Sequence, residues 1–213
     1  MNRPTQIPEP PRTATEVSPT HPWSWQPALG LLAVLLLASC ALTRPVRDTA
    51  ARHLLDATVP ARATTASQPA LAVAKPALPP YLDRPQLVAR GAAGELRVLD
   101  QQLWSEPLDA GIARVLAANL ARLTGSAAIL PASGFVALEY DHLLELRLER
   151  CEPGPEGTLV LEASWKLQPV TGPDIPFRSF RTLVPSEAAT ATAQVAATNE
   201  ALARLARAIA AGL

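Results

Sequence analysis

Four consecutive residues, Leu37-Ala38-Ser39-Cys40, offer the clearest covalent chemistry in this chain: a branched apolar residue, two small ones and a thiol. Small side chains let a peptidase approach the backbone, and the cysteine exposed by cleavage can then be acylated. The other candidates are sparse. Cys151 and the histidines His21, His53 and His142 stand at no spacing that would hold a metal. His142 follows Asp141, the one acid-base pair worth naming, and a polar pair at the surface entry of a strand accounts for it best. The sequence contains no G-x-S-x-G, no glycine-rich phosphate loop and no H-E-x-x-H. No catalytic residue, no metal and no cofactor is therefore expected, apart from covalent diacylglycerol and an N-acyl lipid on Cys40.

The run Ala28 to Ser39 carries no charge. A membrane-spanning helix needs about 20 apolar residues, so this run is too short to cross but suits the hydrophobic region of a signal peptide. With Leu37-Ala38-Ser39-Cys40 at its end, it resembles a bacterial lipobox. Residues 1–39 are read as a disordered leader plus lipoprotein signal peptide, 40–50 as a lipidated tether and 51–213 as one domain. Before the apolar run, Arg3 and Arg12 are offset by Glu9 and Glu16, which places the working translation start nearer that run. Ala41 stands where an inner-membrane retention signal would have Asp, so the expected location is the periplasmic face of the outer membrane. Nineteen basic residues balance nineteen acidic ones without a basic cluster, which argues against a nucleic-acid partner.

Beyond the tether, apolar periodicity alternates between two and about 3.6. Leu71, Val73, Lys75 and Ala77 alternate as a strand, and Leu87 to Arg90 with Leu96 to Leu99 form a hairpin across Gly91 to Gly94. Leu108, Ile112, Val115, Leu116, Leu120 and Leu123 recur at helical spacing, closed by Thr124-Gly125. Leu144, Leu146 and Leu148 alternate with charged residues and pair, across the turn Glu152 to Gly157, with Leu159, Leu161, Ala163, Trp165 and Leu167. A further strand covers about Phe177 to Leu183, and Pro185-Ser186-Glu187 opens a final helix with the stripe Leu202, Leu205 and Ile209. The predicted class is α+β, a mainly antiparallel sheet with two main helices packed on it.

Two stretches concentrate bulky and charged side chains beside prolines: Leu78 to Arg90 and Leu103 to Leu123. Tyr81, Arg84, Arg90, Trp104 and Glu106 can form a contact surface, since aromatic residues and Arg dominate binding hot spots. Equally, Trp104 can cap the core while Asp83, Arg84 and Glu106 serve the turn and the helix start. Both accounts stand together.

These stretches resemble the PqiC group, the periplasmic auxiliary lipoproteins of ABC-type intermembrane transport systems. "ARHLLD" (Ala51 to Asp56) is similar to the family's first strand, with His53 where Tyr is usual. "LPPYLDRPQLVAR" carries Tyr81, Asp83, Arg84 and Arg90; "LWSEPLDAGIARVLAANL" carries Trp104, Glu106, Pro107 and Asn119; "LVLEASWKL" carries Trp165. The resemblance implies a compact α+β domain and a non-enzymatic role, with an MCE-domain protein and ABC transporter components as partners. It also implies phospholipid or another apolar molecule as cargo, moved between inner and outer membranes. A periplasmic lipid-binding carrier is the alternative, with a periplasmic hydrolase built around His142 or Cys151 ranked behind it, and a homo-oligomer is compatible with the sequence.

Overall fold

The computed structural model describes residues 49–63, 70–132, 139–186 and 189–213. Cys40 and the rest of the lipobox lie outside them. Eight strands and two helices make up the described residues: β1 (Ala51–His53), β2 (Leu71–Val73), β3 (Gln86–Arg90), β4 (Leu96–Trp104), α1 (Leu108–Thr124), β5 (Ile129–Pro131), β6 (His142–Pro153), β7 (Leu159–Pro169), β8 (Arg178–Val184) and α2 (Ala191–Ala210). The α+β class follows from the sequence pattern, with one refinement. The strands divide into two mixed sheets, of order β1-β4-β3 and β5-β2-β6-β7-β8, instead of forming one.

The long hairpin β6–β7 is the spine. Leu144 faces Leu167, Leu146 faces Trp165 and Leu148 faces Ala163, all turned inward. A register shift between Leu148 and Arg150 then changes the phase, so that Cys151, not Arg150, continues the buried series opposite Leu161. β8 extends the hairpin on one side. On the other, β2 pairs in parallel with both β6 and β5. A strand covered on both faces loses its alternation, and Leu71, Ala72 and Val73 are all buried. The expected strand through Ala77 stops at Val73, two residues ahead of Lys75-Pro76, and survives beyond as a single bridge from Ala77 to Arg147.

α1 begins after Pro107 and ends in Gly125, whose φ of 71° allows its N–H to reach the Ala121 carbonyl. α2 begins at Ala191, later than the Pro185 opening that the sequence suggested, because Thr190 supplies the cap: its Oγ1 accepts from Ala193 N–H at 3.2 Å. Small residues let the helices approach closely, Gly111, Ala113 and Ala117 on α1 and Ala197, Ala201 and Ala206 on α2 being buried. Leu202, Leu205 and Ile209 point into one core with Leu116, Leu161 and Trp104.

The segment after β1 has no regular structure, yet its backbone is satisfied by helix side chains. Arg114 Nη2 donates to the Leu55 carbonyl at 2.7 Å and Arg122 Nη1 to that of Ala57 at 2.6 Å. Asp56 N–H donates to Asn199 Oδ1 at 3.0 Å, and Val59 N–H to Asn119 Oδ1 at 3.2 Å. Buried backbone groups need such partners, and Leu55 and Val59 are thereby pinned into the core. Among the described residues no helix is long and apolar enough to cross a membrane.

Candidate functional site

The segment Leu78 to Arg90 divides its residues between two places. Tyr81 and Arg90 converge on Glu152, at the far end of β6, whose carboxylate is fully buried. Tyr81 Oη donates to Glu152 Oε2 at 2.8 Å, Arg90 Nε to Oε1 at 2.9 Å and Arg150 Nε to Oε1 at 3.0 Å. The Cys151 N–H adds a fourth donor at 3.0 Å. A buried carboxylate is costly unless compensated, and this one is compensated on every side. Burial, then the hydrogen bond to Glu152, pushes the Tyr81 hydroxyl above its usual range, with Arg90 opposing. Arg90's own hydrogen bond to Glu152 holds it more firmly protonated. Its guanidinium also lies 5.8 Å from the centre of the Tyr81 ring. Glu152 and Arg150 were not legible as a site, because "EPGPEG" reads as a turn and Glu152 is buried by Tyr81 and Arg90 from a distant segment, on the face opposite Cys151.

Asp83, Arg84, Trp104, Glu106 and Pro107 come together elsewhere, around a notch of about 360 Å³ also lined by Pro85, Ser105 and Leu108. It sits where β4 hands over to α1. Trp104 N–H donates to the Pro85 carbonyl at 2.7 Å and Ser105 N–H to that of His53 at 2.7 Å, so three chain segments fix its floor. Trp104 is 8% exposed, which makes it a core residue with one edge at the notch. Glu106 Oε1 accepts from Arg114 Nη2 at 2.5 Å and from Nε at 3.1 Å. Gly111 leaves room for that link: a Cβ there would come 3.1 Å from Glu106 Oε1. Arg84 is the exception in this tidy arrangement. Its Nε is buried without a hydrogen-bond partner, while Asp83 beside it is exposed.

The other signature residues stand apart. Asn119 is buried on α1, and Trp165 is buried on β7 with the Arg178 guanidinium 5.3 Å above its ring. A second concavity, about 370 Å³ between the β3–β4 turn, the β6–β7 turn and the start of α2, contains Arg90 alone of these residues.

Nucleophilic and acid-base groups find little to work with. Burial pushes the Cys151 thiol up to about 12, with Glu152 adding to the effect, so it stays protonated and is no nucleophile. Asp141 does not orient His142; its Oδ2 accepts from Ala70 N–H at 2.8 Å. Among the described residues no three His, Cys, Asp or Glu side chains are grouped to hold a metal.

Residues 53–210 match the family described as the ABC-type transport auxiliary lipoprotein component. Two crystal structures share the fold at a TM-score of 0.63. An uncharacterized protein, 19% identical, aligns over 77% of this chain and 98% of its own, and a Xanthomonas campestris protein of family DUF330, 22% identical, over 76% and 93%. The PelC dodecamer of Paraburkholderia phytofirmans overlaps with a TM-score of only 0.39 at 17% identity, over 67% of this chain and 92% of that one. No curated protein sequence matches. With the family pattern running from His53 through the notch and the long hairpin into the last helix, the chain belongs to the ABC-type transport auxiliary lipoproteins.

Proposed function

We propose that the protein is a docking component of an intermembrane lipid-transport system, anchored through lipid on Cys40 to the periplasmic face of the outer membrane. Its partner on this reading is an MCE-domain protein working with an ABC transporter. Exposed methylenes cost roughly 0.8 kcal/mol each in water, so lipid needs a shielded path ending at a membrane. A lipoprotein carries several acyl chains, which fixes such an end far more firmly than one chain can.

The observation that carries the docking reading is the unmet Nε of Arg84 in the notch beside Trp104. A buried donor left unpaired costs about 1–3 kcal/mol, a cost that a carbonyl or carboxylate from a partner would remove. The tryptophan edge with Pro85 and Pro107 offers a rigid apolar rim around it. Trp104 and Arg are also the residue types on which binding energy concentrates.

Pull-down of the MCE-domain protein with the full acylated chain tests this reading. Asp83→Lys combined with Arg84→Glu should abolish recovery without loss of fold; undiminished recovery would remove the notch from the proposal. Mass analysis of the natural protein should find Cys40 as the acylated first residue, and an unmodified thiol there would refute the anchor.

A further inference from the structure

At the opposite end of β6 from Glu152, the loop between β7 and β8 projects apolar side chains that nothing in the docking reading uses. Val170 is 61% exposed, Phe177 48% and Leu213 45%, with Ile175 at 36%. Basic groups surround them. Arg178 lies over Trp165, and Lys166 stands 5.3 Å from the Phe177 ring centre. Arg147 lines a shallow depression on the other side of Phe177, with Lys75. Lys166 and Lys75 have carboxylate partners in Glu145 and Asp109 at 3.4 and 3.2 Å. Arg147 and Arg178 have none among the described residues. Asp174 is the loop's one acidic residue, and Asp141 is committed to Ala70.

Beside Lys166 and Arg178 lies a cavity of about 160 Å³ lined also by His142, Trp165, Ile175 and Leu213, among others. His142 Nδ1 is buried there without a hydrogen-bond partner. Pockets that engulf a small molecule begin at about 300 Å³, so this one admits a polar headgroup but no acyl chain. The chains must stay outside, in the bilayer that presents them.

We propose that this end of the domain is a membrane-contact face: Val170, Ile175 and Phe177 enter the headgroup layer of an anionic bilayer, while Arg147 and Arg178 hold phosphate oxygens and the cavity receives one headgroup. Apolar residues flanked by basic ones are what an interfacial contact requires, each Lys or Arg adding attraction to the anionic surface. The inference stands on these side chains and not on the notch, so its failure would leave the docking reading untouched.

The stretch Thr49–Leu213 contains the whole core cluster and lacks Cys40, so it tests the face without the anchor. It should co-sediment with vesicles of phosphatidylcholine plus phosphatidylglycerol, less so as salt is raised, and weakly with phosphatidylcholine alone. Arg178→Gln should weaken binding about fivefold while Arg178→Lys retains it. Ile175→Ser with Phe177→Ser should weaken it about tenfold or more. Equal binding to both vesicle types overturns the proposal, as does parental binding by the double serine variant with an unchanged circular dichroism spectrum. Self-association of the parent that this double variant abolishes would give the face to a second copy instead, and overturn it too.

Discussion

From one segment of thirteen residues, Leu78 to Arg90, the chain builds two opposite kinds of polar structure. Around Glu152, four donors satisfy one buried carboxylate and nothing is left over. In the notch, Arg84 keeps a donor unmet at the surface of a rigid rim. The first arrangement is closed and holds the fold; the second is open and is the one proposed to meet a partner. Residues that recur together in a motif can therefore serve two purposes, and only their partners in space tell them apart.

The sharpest way to break the comparison is to remove the closed centre. Glu152→Ala leaves two guanidiniums and a tyrosine hydroxyl without their acceptor, and should cost about 3–5 kcal/mol in urea unfolding. A loss below about 1 kcal/mol would show that the cluster is solvated, not interior. Tyr81→Phe removes one hydrogen bond to a charged group and should cost about 1.5–3 kcal/mol. Thr190→Ala, which uncaps α2 without removing a hydrogen bond to Glu152, should cost about 1 kcal/mol and calibrates the scale. Arg84→Ala should leave stability unchanged or raise it by about 1 kcal/mol, since it removes a buried donor that no acceptor meets.

Alkaline pH sharpens the same contrast. An unfolded cysteine thiol titrates near about 8.5, whereas the folded Cys151 is pushed up to about 12 by burial. The folded state therefore keeps a proton that the unfolded state has lost. That contribution to stability is complete below about pH 8.5 and is lost as pH rises toward about 12. Urea midpoints should fall across this window, and Cys151→Ala should make the fall shallower. An identical slope in the variant would mean that the thiol is not sealed in the core.

Much of the scaffold was legible because its periodicity is local. Leu108 to Leu123 and the alternating leucines of β6 and β7 announce their elements without reference to the rest of the chain. The strand at Leu71 and Val73 was legible but not its end at Val73, and the three-residue β5 was not legible at all, since a segment that short carries no period and pairs, among the described residues, only with β2. The second sheet was hidden for a related reason: β1 pairs in parallel with β4, a contact across half a hundred residues that no turn signals. The signature residues were legible as a set, but their division was not. Glu152, which decides where Tyr81 and Arg90 go, lies after the phase change in β6 on the face opposite Cys151, and it is buried by Tyr81 and Arg90 from a distant segment, which hydrophobic alternation alone does not reveal.

The claim that the open half of the motif receives a partner is tested most directly by calorimetric titration of the MCE-domain protein into the parent and into Arg84→Glu. A drop of about tenfold or more in affinity, with thermal unfolding unchanged, is the predicted result. Parental affinity in the charge-reversed protein would contradict it.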